Sequence, residues 1–282
     1  MTKLEYTFKN DVLFKMLFVK NQDLLKNLVA DLLGIRIDSI GDFEITNPEM
    51  PPEVVNDKFC RIDINMTVDG QRIDLELQKT NEGDYPERSL YYWAREYSTA
   101  LGKGEEYTDL PRTIVISIVA FKLFDCEEFY SEYRLLEVTR HTQLTDRMCL
   151  LYFELPKLPE VTNADDKLKL WLALFNAETE DDIAKIEAMG VPVMEQAIGA
   201  YRKVTVTNEF RELERQRHYA EHNRASALGH VRREERDKWQ AVVAEKDSAL
   251  AEKDSALAEK DTALAEKDAL IAKLQAKMSG IE

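Results

Sequence analysis

Residues 61–79 read RIDINMTVDGQRIDLELQK, and this stretch constrains the fold more than any other. The Asp69-Gly70 dipeptide sits between runs that alternate apolar and polar residues. A two-residue hairpin loop needs positive φ at both loop positions, and Asp-Gly supplies it. With those two residues as the loop, Val68 opposes Gln71, Met66 opposes Ile73, Ile64 opposes Leu75 and Ile62 opposes Leu77, which makes one face wholly apolar. The other face sets Asn65 against Asp74, Asp63 against Glu76 and Arg61 against Gln78. Directly opposed side chains have Cβ atoms about 4.5–5.5 Å apart, and like charges there are destabilising. The Asp63/Glu76 pair therefore needs something that offsets its repulsion.

The remainder of the chain bounds what that can be. Its 282 residues give room for one large domain plus an appendage, or for two smaller domains, with a substantial core. The first segment, YTFKNDVLFKMLFVKNQDLLKNLVADLLGI, carries apolar residues at helical spacing. It predicts two helices that break at Asn21 or Gln22 and stop at Gly34. IRIDSIGDFEIT predicts a short strand region and Pro48, Pro51 and Pro52 a loop, both ahead of the hairpin. After Pro86, ERSLYYWAREYSTALGKG has helical periodicity ending at Gly102 or Gly104. RTIVISIVAFKLF reads as a strand buried on both faces, and MCLLYFELPKL as another, closed by Pro156 and Pro159. From Ala164 to about Trp239 the pattern is helical, with breaks near Thr179 and Gly190-Val191-Pro192.

The tail differs in kind. AEKDSAL, AEKDSAL, AEKDTAL and AEKDALI follow one another from Ala244, a seven-residue period with almost no drift. Val243, Leu250, Leu257, Leu264 and Ile271 recur on one stripe. A full coiled-coil seam carries a second apolar position three or four residues on, and here those positions hold Lys and Asp. Within the repeats no acidic residue stands three or four residues from a lysine, so helix-stabilising ion pairs are absent as well. The tail reads as a helical spacer, or as a thin seam for homo-oligomerisation through the helical C-terminal region.

Composition excludes several classes. No apolar run follows a basic start, so no secretory signal is expected, and TIVISIVAF, the longest apolar-rich run, is far too short to span a bilayer. Cys60, Cys126 and Cys149 show no metal-ligand spacing and read as buried or incidental thiols of a reducing cytoplasm. The formal net charge of −15 opposes bulk attraction to nucleic acid. Binding to phosphate would need a local basic surface or a bridging metal ion.

A carboxylate pair set into an α/β core suits a hard divalent cation, which takes oxygen ligands and neutralises the repulsion. The ordinary alternative is a hairpin whose polar face meets water. Arg88, Tyr92 and Arg95 share one helical face at i, i+4 and i+7, either to present cations to a phosphate backbone or as a plain charged surface. His218 and His222 have the i, i+4 spacing of helical metal ligands. They lack the His-Glu-x-x-His pattern and a third ligand, and read as solvated side chains. The arginines between Glu209 and Lys238 are matched by nearly as many acidic residues, which makes that stretch a mixed solvated helix face.

FKNDVLFKMLF, Asp63, the Glu76-Leu77-Gln78 triplet, RSLYYWAREY and LPRTIVISIVAF occur in an order that resembles the αβββαβ core of PD-(D/E)XK nucleases. More closely, it resembles the recombination-promoting nuclease/putative transposase family within that superfamily. The resemblance covers roughly the first 155 residues. It implies an α/β, restriction-endonuclease-like core over 1–160; the helical C-terminal region over 161–240 is consistent with it, and the repeats themselves mark the heptad-repeat tail over 241–282. It implies a DNA endonuclease dependent on Mg²⁺, or on another divalent cation such as Mn²⁺ or Ca²⁺. Asp63, Glu76 and the Leu77 carbonyl would be the ligands, and Gln78 would orient the attacking water. Asp74 and Asp11 are candidates beyond the ligand shell. The pattern departs from the superfamily at Gln78, where lysine is usual, and Lys79 points to the opposite face of a regular strand. The competing readings are a non-catalytic scaffold that keeps the fold, and an RNase on the same core.

Overall fold

The computed structural model describes residues 2–47 and 64–279. The hairpin forms in the expected register. β2 (Ile64–Val68) and β3 (Gln71–Gln78) are antiparallel, with Val68 opposite Gln71, Asn65 opposite Asp74 and Ile64 opposite Leu75. Asp69 and Gly70 carry φ of 48° and 75°, the left-handed pair that this turn requires. Arg61, Ile62 and Asp63 lie outside the described residues, as do Cys60 and the proline-rich loop.

Two helices precede the hairpin, α1 (Asp11–Lys20) and α2 (Gln22–Leu33), and they meet at Asn21 as the sequence predicts. Asn10 caps α1 by accepting from Leu13 N at 2.9 Å, and Gly34 ends α2 at φ 65°. The strand region that follows is narrower than expected. A 3₁₀ turn at Ile37–Ser39 leaves only β1 (Phe43–Ile45), paired antiparallel with β2. After the hairpin comes α3 (Tyr85–Ser98), shorter than the periodicity suggested. The Ser98 and Thr99 hydroxyls both donate to the Arg95 carbonyl, each at 3.0 Å, and end the helix before Gly102.

β4 (Thr113–Val119) and β6 (Met148–Glu154) are the two apolar strands, buried throughout. Between them in the chain is β5 (Tyr130–Tyr133), which the sequence reading missed because FYSEY has no buried alternation. The six strands form one mixed sheet in the order β1-β2-β3-β4-β6-β5. β3, β4 and β6 run parallel to one another, and β5 pairs antiparallel with β6.

The C-terminal part is helical as expected: α4 (Lys167–Asn176), α5 (Glu180–Glu187), α6 (Pro192–Val204) and α7 (Asn208–Ser279). Thr179 caps α5 in a capping box with Asp182, and Pro192 opens α6. One further break, at residues 205–207, has its own local cause. Thr205 and Thr207 donate to the last carbonyls of α6, and Thr207 Oγ1 accepts from Phe210 N at 3.2 Å.

Burial divides the sheet's two faces. Ile64, Met66, Ile73, Leu75, Ile116 and Phe153 point into the main core with α1, α2 and α4–α6, so residues on either side of position 160 share one interior. Val115, Val119, Leu150 and Tyr152 point the other way, against Tyr85 at the start of α3. The chain forms two compact units, Met1–His218 and Tyr219–Glu282. The second consists of α7 from Tyr219 onward, and along it Val243, Leu250, Leu257, Leu264 and Ile271 are all exposed. No helix among the described residues is long and apolar enough to cross a membrane.

Candidate active site

Two carboxylates on the polar face of the hairpin, Asp74 and Glu76, are shut away from water. Period-2 alternation along β3 turns Asp74, Glu76 and Gln78 to the side on which Val115 and Tyr152 meet α3. Asp74 is 2% exposed and Glu76 6%, which sets aside the solvated-hairpin alternative for these two. Across the parallel strands Glu76 is in register with Ser117 and then Tyr152, and Gln78 with Val119 and then Glu154.

One side chain that the sequence reading overlooked touches the central carboxylate. Tyr85, the first residue of α3, is fully buried, and its hydroxyl donates to Glu76 Oε2 at 3.1 Å. Burial, and then the negative charge of Glu76, push the Tyr85 phenol well above its ordinary value of 10.0, while the neighbouring Ser117 hydroxyl acts the other way. The phenol is therefore a proton donor to Glu76 throughout the neutral range. Beside it, Tyr152 and Ser89 are joined by a hydrogen bond of 2.5 Å. Ser89 gives its single proton to the Pro86 carbonyl at 2.8 Å, so Tyr152 is the donor in that pair. Ser117 and Tyr152 were visible in the sequence as the polar interruptions of TIVISIV and MCLLYFE, the one signal that could have found them.

The other predicted residues are less uniform. The Gln78 amide donates to the Thr80 carbonyl at 3.0 Å, and its side chain is half-buried. Arg88 lies close to the site. Its guanidinium stands 5.0 Å over the Tyr85 ring and pairs with Glu82 at 3.0 Å, and its Nε meets no acceptor among the described residues. Tyr92 is buried and Arg95 exposed, so the expected face of three does not present itself as one surface. Asp11 pairs with Lys79, the residue after β3, at 3.1 Å. Asp63 lies outside the described residues.

Two further contacts hold the walls. Arg72 donates to the Glu96 carbonyl at 2.9 Å and to Thr99 Oγ1 at 3.2 Å, fixing the C-terminal end of α3 to the hairpin. Farther across the same face, at the end of β6, Glu154 and Lys157 form a buried ion pair at 2.7 Å. Glu154 also accepts from Leu123 N at 2.6 Å and Phe124 N at 3.3 Å, which ties down the segment after β4.

The donors on this face of β3 are carboxylate oxygens, with the Leu77 backbone carbonyl between Glu76 and Gln78 in the chain. An all-oxygen, anionic set fits a hard divalent cation and not a soft one. Among the described residues no group of three or more His, Cys, Asp or Glu could by itself hold a metal ion.

A family model described as PD-(D/E)XK nuclease family transposase matches residues 8–231. No curated protein and no solved structure matches the chain.

Proposed function

The chain belongs to the PD-(D/E)XK nuclease family transposases, and from that membership we propose that it is a Mg²⁺-dependent endonuclease that hydrolyses DNA phosphodiester bonds, in a recombination-promoting role. The observation that carries this reading is the burial of Glu76 on a carboxylate-bearing sheet face within the matched segment. A buried carboxylate is costly unless a proton donor or cation accompanies it, so such a face suits a binding site better than a structural surface.

In this reading Asp63 and Glu76, with the Leu77 carbonyl, hold the ion, and Asp74 supports them from beyond the ligand shell. When bound, such an ion would supply positive charge at the scissile phosphate and a water of lowered pKa. Everything else falls to the chain. Gln78, on the same face as Glu76, orients the attacking water through its amide. It carries no charge, so proton removal from that water depends on the carboxylates. Arg88 sits beside the site, its guanidinium 5.0 Å over the Tyr85 ring and its side chain partly exposed, which supports a contact to the phosphate backbone. With a net charge of −15, such local cations and the ion itself must supply the attraction for DNA.

The test is incubation of the full chain with supercoiled plasmid, and in parallel with RNA, in Mg²⁺ or EDTA. Nicking or linearisation of the plasmid only with Mg²⁺ is the expected result. Cleavage confined to RNA would move the assignment to an RNase. No cleavage of either, with DNA still bound, would leave a scaffold on a nuclease fold.

A further inference from the structure

We infer that Tyr85 is a positioning residue for Glu76: its buried hydroxyl holds one carboxylate oxygen so that the other is aimed at the cation. The inference rests on the metal-dependent reading of this site.

Three observations converge on it. Tyr85 is the first residue of α3, immediately before Pro86, so its backbone is fixed by the start of the helix. Its ring is locked from several sides. Phe121 and Tyr152 meet it edge-on, with centroids 6.1 and 6.4 Å away, and Arg88 covers it at 5.0 Å. Its hydroxyl reaches Glu76 Oε2 at 3.1 Å although nine residues separate them, across the whole connection from strand to helix. A carboxylate on a strand end can rotate about its side-chain torsions. A strong donor from a rigid ring restricts that freedom, which is how partners of metal ligands raise affinity without touching the metal. Phenylalanine would fill the same space without the donor, so that substitution isolates what the hydroxyl does.

The experiment titrates the full chain with Mn²⁺, following loss of the free-ion spin-resonance signal, for the parent, Tyr85→Phe, Tyr152→Phe and Glu76→Gln with and without Tyr85→Phe. Melting in EDTA checks the fold of each. Tyr85→Phe is expected to raise the Mn²⁺ Kd about tenfold, the usual effect of removing such a partner. Tyr152→Phe removes a phenol from the same face but donates to Ser89, and it should leave the Kd within about twofold. In the Glu76→Gln background Tyr85→Phe should change nothing further, because its effect passes through that carboxylate. A parental Kd in Tyr85→Phe, or an equal loss in Tyr152→Phe, overturns the inference while leaving the nuclease reading in place. Failure of the parent to bind Mn²⁺ overturns both. If Tyr85→Phe does not fold, the parent still decides. Mg²⁺ bound at Glu76 weakens the acceptor of the Tyr85 hydrogen bond, so tyrosine absorption should shift to the blue in the parent and not in Glu76→Gln. No shift in the parent overturns the inference.

Discussion

At the scale of residues, the proposed site pairs Glu76, buried on β3, with Asp63, which the hairpin register would set opposite it, as ligands of one cation. If the two face each other in the metal-free protein, replacing Asp63 by Asn or Glu76 by Gln removes a like-charge repulsion. Each should stabilise the metal-free protein by a few tenths to about 1 kcal/mol, the range of a cross-strand pair. Each should also lose most of the rise in melting temperature that Mg²⁺ gives the parent, a gain of about 2.7 kcal/mol at a hundredfold excess over Kd. Thermal melts in EDTA and in Mg²⁺ check both statements, and a full Mg²⁺ response in both variants would remove these residues from the site. Glu76 and Asp74 were legible in the sequence because a strand's period of two assigns every side chain to a face once the Asp-Gly turn sets the register. Tyr85 was not legible. Its contact depends on where α3 lies across the sheet, which no local pattern encodes.

At the scale of elements, α7 is joined to α1 through a charged contact near the end of β3. Burial pushes the Glu214 carboxyl up, but hydrogen bonds from Arg217 and Asn10 and the charges of Arg217 and Lys79 outweigh it. The net effect holds the group below its ordinary value of 4.5. A depressed carboxyl contributes stability that is fully present above 4.5 and is lost as pH falls through the lower folded value. Glu214→Gln should therefore be less stable than the parent at neutral pH, with the gap closing on acidification below 4.5. Urea unfolding at the two pH extremes reads this directly, and a gap that does not change with pH would contradict it. The strands and helices that bury a continuous stripe were legible from periodicity: β4, β6, α1 and α2. The edge strand β5 was not, because most of its side chains are exposed and β6 supplies its pairing. The early end of α3 escaped for a similar reason. Hydroxyls that compete for one carbonyl stop the helix four residues before the first glycine.

At the scale of the whole molecule, the first compact unit, Met1–His218, carries both packed clusters, whereas the repeats lie in the second unit with their apolar stripe exposed. Deleting residues 244–264 should leave cooperative unfolding of the first unit intact, as followed by tyrosine and tryptophan fluorescence in urea. Loss of cooperativity would make the tail integral to the fold. The sequence revealed the tail's period and its thin seam at once. It could not reveal that α3 seals the carboxylate face, since that is a property of the assembled layers. The central claim is that Glu76 serves catalysis by holding the ion, and its most direct test is the rate of Mg²⁺-dependent plasmid nicking by Glu76→Gln beside the parent at equal folded concentration. The proposal predicts that the variant loses the activity, because the carboxylate is a ligand whose charge the reaction needs. Nicking by Glu76→Gln at the parental rate would contradict it.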